Sequence, residues 1–233
     1  MNDRPLDDAA SSDPAADPRL ALAAAAAGWD RIAPRLEANP GIRDRLAALL
    51  TAYRDGDSPD EAAAEAARLL GRTLPGEFDH GPSARFVPAG SGGVEAPSVH
   101  GFVAEDLAVL VVDGHRMVGP TLGAIRDRLL AEPAARPEAV RARGQDPCRS
   151  DLIRLPGPGG RQHVPLFQFD DDLRPRPVVL DVNRLLGADQ DPWGVADWWL
   201  SANAWLGVAP ARLLGAGQDG RLLDTARLLK EAG

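Results

Sequence analysis

The side chains in this sequence that could do chemistry are few and far apart. Four histidines, His80, His100, His115 and His163, are scattered along the chain, and the single cysteine, Cys148, sits in "QDPCRSD" with no base marked beside it. Metal centres and nucleophile–base pairs need their groups at short, fixed spacings, as in HExxH, and none occurs. "DGH", Asp113 to His115, offers a carboxylate beside an imidazole but no further ligand, so structural or solvent roles are expected. Three adjacent acids, Asp170 to Asp172, read as a solvated turn. "GSGG" and "GPGG" lack the strand, the GK[ST] ending and the spacing of phosphate-binding loops, and read as a linker and a turn. No catalytic constellation assembles, so neither an enzyme nor a metal or cofactor is expected.

Polar recognition of nucleic acid has one candidate. "DLIRLPGPGGRQH" could form a wing that sets Arg154 and Arg161 on phosphates. A formal charge of −8 and a pI near 5.0 work against a mainly electrostatic binder. Lys230 is the only lysine. The arginines accompany abundant Ala, Gly and Pro, which points to coding bias and not to a recognition patch.

What remains is aromatic. Four of the five tryptophans fall in "DPWGVADWWLSANAWL", Asp191 to Leu206. Asp191 can cap a helix there, with Pro192 at its first position. Winding at about 100° per residue places Val195, Trp199, Ala202 and Leu206 on a core stripe, and Trp198 and Trp205 together on one shoulder. That shoulder is covered either by the chain itself, through a hairpin bearing Phe167 and Phe169, or by a partner or second copy, since tryptophan suits interface anchors.

The elements that would position these residues are mostly helical. Residues 1–19 are acidic and Pro-rich, without a signal peptide's order, and read as a disordered tail. Residues 20–72 read as an N-terminal helical region interrupted at Pro34. Within it, Ile42, Leu46, Leu49, Leu50 and Tyr53 lie at helical spacing up to Gly56. Ser58, Pro59 and Glu61 then suggest a capping box for a helix ending at Gly71. A linker is expected over 73–98. In the middle region, 99–150, "LAVLVVDG" suits a strand or a helix equally. A helix there places Leu122, Ile125, Leu129 and Leu130 on one face, and Gly114 to Glu132 is a poor helix-turn-helix candidate. From 151 to 233 a short β-hairpin around "GPGG" precedes four short helices, including one at "APARLLGAG". The fold class is therefore mainly α, with a helical N-terminal region, a short β-hairpin and a small C-terminal helical bundle. No apolar run spans a membrane, and a cytoplasmic protein is expected.

The order "FQFD" (Phe167 to Asp170), a helix, then "DWWLSANAWLGVAPARLLGAGQDGRLLDTA" resembles the toxin-binding domain of Xre/MbcA/ParS antitoxins. Trp199, Leu200, Asn203, Leu206, Gly207, Pro210, Leu213, Leu214 and Gly217 fall on that family's pattern in order, across roughly the last third of the chain. Val208 stands where many members have a second glycine. The resemblance implies a protein that neutralises a RES-domain, NAD-degrading toxin by occluding its active site. Val195, Trp199, Leu206, Leu213 and Leu214 would then be domain core, and Trp198, Asn203, Trp205, Pro210 and Lys230 would face the partner. A DNA-associated transcriptional regulator, and a scaffold or homo-oligomer with no toxin partner, are the alternatives.

Overall fold

A computed structural model describes residues 17–75 and 98–232. Of the described residues 62% are helical, and the sheets among them are two small ones, so the fold is mainly α. It divides into two compact units, residues 1–111 and 112–233, so the expected middle region is shared between them. The greater part of the expected tail and linker, with His80 and the "GSGG" glycines, lies outside the described residues. No described helix is long and apolar enough to cross a membrane.

In the first unit, α1 (Pro18–Ala27) opens with Asp17, whose carboxylate accepts the Arg19 N–H at 2.9 Å. Alanine favours helix and leaves little bulk, so the fully or nearly fully buried Ala23, Ala25 and Ala26 allow close packing with α4 (Pro59–Thr73), which buries Ala62, Ala63 and Ala66. Between them run α2 (Trp29–Glu37) and α3 (Pro40–Asp55). The chain breaks at Gly28, not at Pro34, which sits inside α2. Proline lacks only its own N–H and clashes with the preceding turn; six residues into a nine-residue helix it is tolerated, whereas Gly28 closes α1 by donating to the Ala24 carbonyl at 2.9 Å. Ser58 precedes α4 but makes no side-chain cap bond, and the helix continues past Gly71 to Thr73. The expected capping box does not form. A two-residue ribbon of β1 (Ser98–Val99) and β2 (Phe102–Val103) leads into α5 (Ala104–Ala108), and a π-turn follows over Val109–Asp113. "LAVLVV" is thus helical. Arg54, nearly buried, meets Glu105 at 2.8 Å and ties α3 to α5.

In the second unit, α6 (Gly119–Leu130) buries Leu129, half-buries Ile125 and Leu130, and exposes Leu122. Leu122 is therefore off the apolar face expected for it. After β3 (Ala134–Ala135) and α7 (Pro137–Ala142), the expected hairpin forms from β4 (Leu155–Pro156) and β5 (Gln162–Pro165). The Pro158–Gly160 turn closes it. The sheet order is β3-β5-β4, all antiparallel. Three elements follow: α8 (Pro177–Leu186), α9 (Pro192–Leu200) and α10 (Asp219–Ala232). "PARL" in the third of the four expected helices is a single 3-10 turn over Pro210–Leu213.

The tryptophan helix is shorter than expected, because it ends at Leu200. Ser201 is extended (φ −96°, ψ 152°), and its hydroxyl bonds the Asp197 carboxylate at 2.8 Å. Ser and Asn side chains compete with the helical ladder for local hydrogen bonds, and two such residues in "SAN" stop the winding. Ala202, Trp205 and Leu206 therefore lie outside α9, and Trp198 and Trp205 share no helical shoulder.

Candidate partner-binding surface

The surface is set by a buried polar network. Gln168, wholly buried, accepts the Ile153 N–H at 2.8 Å and donates to the carbonyls of Ile153 (3.0 Å) and Pro165 (3.3 Å). Asn183 donates to the Asp151 carbonyl at 2.9 Å and to Gln168 Oε1 at 3.1 Å. Its own Oδ1 accepts the indole N–H of Trp199 at 2.9 Å. Buried polar groups are tolerated when every one is paired. Here the pairing fixes the hairpin, α8 and α9 in one arrangement. Around it Leu129, Ile153, Leu155, Val179, Leu222 and Ala226 pack against Trp199. Sequence reasoning missed both amides. The available signals were Gln168 between two phenylalanines, and Asn183 on the apolar side of α8, one turn from Val179.

Of the expected core residues, Val195, Trp199 and Leu206 are buried, and Leu213 and Leu214 pack half-buried against the same cluster. Phe167 covers Trp199 at 5.5 Å between ring centroids, while Phe169 belongs to a second cluster. Neither phenylalanine shields Trp205.

The expected contact residues separate. Asn203 is spent on its own turn, its Oδ1 accepting the N–H groups of Trp205 (2.9 Å) and Leu206 (3.2 Å). The Gly207 N–H returns to the Asn203 carbonyl at 2.7 Å, with Gly207 at φ 76°, a region that favours glycine. Pro210 is buried at the start of its 3-10 turn and so offers no contact surface, against expectation. Trp205 stands out at 56% exposed, held by this turn and by Arg221, which donates to its carbonyl at 3.1 Å. Seven residues beyond Arg221, on the same side of α10, Leu228 is 55% exposed. Trp198 is half-buried, edge-on to Trp199 at 5.0 Å, and its indole N–H is sealed without a partner. Trp198 and Lys230 both line an open cavity of about 770 Å³ with Leu186, Asp189, Val195 and Leu229.

The remaining candidates stay dispersed. Arg161 is exposed and donates to the Pro158 carbonyl at 3.3 Å, within its own turn. Arg154 is half-buried beside a smaller cavity of about 300 Å³ shared with Gln162 and Asp189. His115 packs tilted against Trp193, 5.0 Å between ring centroids. Exposed Cys148 has Arg141 within 4.0 Å of its sulfur. Asp170 turns inward on its loop, accepting the N–H groups of Asp172 (3.0 Å) and Arg174 (2.8 Å). Among the described residues no group of three or more His, Cys, Asp or Glu is placed to hold a metal ion.

Protein-family models, curated proteins and solved structures gave no match to this chain. The carboxylate of Asp151 is structural: Arg149 hydrogen-bonds it at 2.7 and 2.8 Å and pulls its pKa below the usual carboxylate value, against the opposing effect of burial. Arg184, 3.4 Å away, adds to the pull. Among the described residues, Trp205 and Leu228 stand as exposed large apolar side chains on the unit that this network holds together.

Proposed function

We propose that this chain is a cytoplasmic binding protein, not an enzyme, and that it neutralises a RES-domain, NAD-degrading toxin by covering the toxin's active site, as an antitoxin does. The reading rests on the ordered resemblance of the C-terminal third to the toxin-binding domain. The observation that carries it is Trp205, a tryptophan 56% exposed yet fixed on a tight turn. A large exposed aromatic on a backbone already held in place saves the cost of ordering the loop on docking, and tryptophan is enriched among the residues that dominate interface energetics. Leu228 extends the contact along α10, Trp198 and Lys230 supply a second patch at the open cavity, Asn203 shapes the turn, and Val195, Trp199 and Leu206 hold the module.

The test is to mix the chain with a purified RES-domain toxin and follow NAD. The expected result is a stable complex and arrest of NAD loss at stoichiometric amounts. Undiminished NAD consumption with no complex removes the reading. In that event, a mass measurement showing assemblies of the parent that vanish in Trp205→Ala favours a self-associating scaffold, and a salt-dependent shift of DNA abolished by Arg154→Ala with Arg161→Ala favours a regulator.

A further inference from the structure

Strand β5 lies between β3 and β4, and the residues paired along it belong to two different apolar clusters. Val164, opposite Ala135, packs with Val140, Leu152, Phe169 and Leu180. His163 is opposite Leu155, which belongs to the larger cluster around Trp199. Directly opposite residues share a face of a sheet and successive ones alternate, so the imidazole is aimed at the larger cluster. It is half-buried, and its Nε2 is sealed from solvent with no hydrogen-bond partner. The charge that reaches it is Glu132, just past α6. The strands on either side offer Leu155 and Pro156, and Ala134 and Ala135, none of which titrates.

A neutral imidazole can keep its hydrogen on Nδ1 and leave Nε2 a bare acceptor. An imidazolium carries N–H on both nitrogens. At His163 the second N–H would be a charged donor facing apolar side chains, which is costly unless the ring moves to water. We propose that His163 is an acid-sensitive latch, whose protonation frees the β4–β5 hairpin from the apolar cluster beneath it. The hairpin and its flanks supply the Ile153 and Pro165 groups that hold Gln168, and through Asn183 the Trp199 indole. Opening it loosens the frame beneath the partner-binding surface, whatever that partner is.

Burial holds the His163 pKa below its ordinary value, and Glu132 offsets this only in part. The folded state therefore binds its proton later than the unfolded chain as pH falls. Stability is full above about pH 6.5, the unfolded value, and declines as pH drops from there through the folded pKa. The test uses the full chain, with unfolding midpoint and backbone amide exchange (corrected for intrinsic rate) measured between about pH 7.5 and pH 5. The parent should lose several degrees of midpoint, and amides of β4 and β5 should lose protection before those of α8 and α10. His163→Gln should flatten both responses, while His115→Gln should keep them. A parent whose hairpin protection is constant across this range, or a His163→Gln chain with the parent's full slope, overturns the proposal. Should His163→Gln fail to fold, the ring signals of the parent decide: a low titration midpoint shared with the hairpin amides supports the latch, and an ordinary midpoint with unmoved amides refutes it.

Discussion

Replacing Asn183 with leucine tests the buried network most directly, because the side chains are nearly the same size and only the polar bonds are lost. Three bonds go: to the Asp151 carbonyl, to Gln168 Oε1 and from the Trp199 indole. Gln168 Oε1 keeps the Ile153 N–H. The indole N–H of Trp199, which is 0% exposed, and the Asp151 carbonyl lose the partners Asn183 gave them. An unsatisfied buried group costs about 1–3 kcal/mol, and a better-buried aliphatic side chain returns part of that. The net expectation is about 2–4 kcal/mol, a large fraction of the ~5–15 kcal/mol that holds a typical domain together. Denaturant titration followed by tryptophan emission is a suitable assay, since four of the five indoles lie in the C-terminal unit. Asn183→Asp sharpens it. Its carboxyl would face the Asp151 carbonyl and Gln168 Oε1, both acceptors, so its folded pKa rises and the variant should regain stability as pH falls through that raised value. An Asn183→Leu chain within about 0.5 kcal/mol of the parent, the range of an ordinary surface change, would refute the reasoning.

Two further outcomes follow from the same structure. Trp205→Ala should cost at most about 1–2.5 kcal/mol of stability, because more than half of the residue is already in water, yet weaken binding of the proposed toxin at least about tenfold in calorimetry. Asp151→Asn should remove an acid-dependent part of stability. The Arg149 pair lowers the folded pKa of Asp151, so its contribution is present above the unfolded value and lost as pH falls through the folded one. The parent's midpoint should then fall more steeply than the variant's below about pH 4, and equal slopes there would count against the pair.

The helical class was legible in the sequence because Pro at helix starts, Gly at ends and three-and-four spacing are local signals. α3 with its stop at Gly56, and α8 with its left-handed Gly187, are of this kind. The hairpin was legible from "GPGG" between β-favouring residues. The end of α9 was not, since helical spacing in "DPWGVADWWLSANAWL" continues smoothly while Ser201 and Asn203 take hydrogen bonds that periodicity does not register. Gly28 beat Pro34 for a related reason: what closes α1 is a bond to the Ala24 carbonyl, not the identity of the stronger breaker. The contact surface was half legible. Composition marked the tryptophans, but which one faces out depends on long-range pairs such as Asn183 with Trp199, sixteen residues apart.

Ending α9 at Leu200 puts the tryptophan that anchors and the tryptophan that is displayed on different pieces of backbone. Trp199 answers to the interior, and almost any replacement there disturbs the whole bundle. Trp205 rides on a turn closed by its neighbours' main chain, so its side chain can be exchanged while the scaffold stays still. What this loop displays can therefore change by substitution at one position without asking anything of the folded interior.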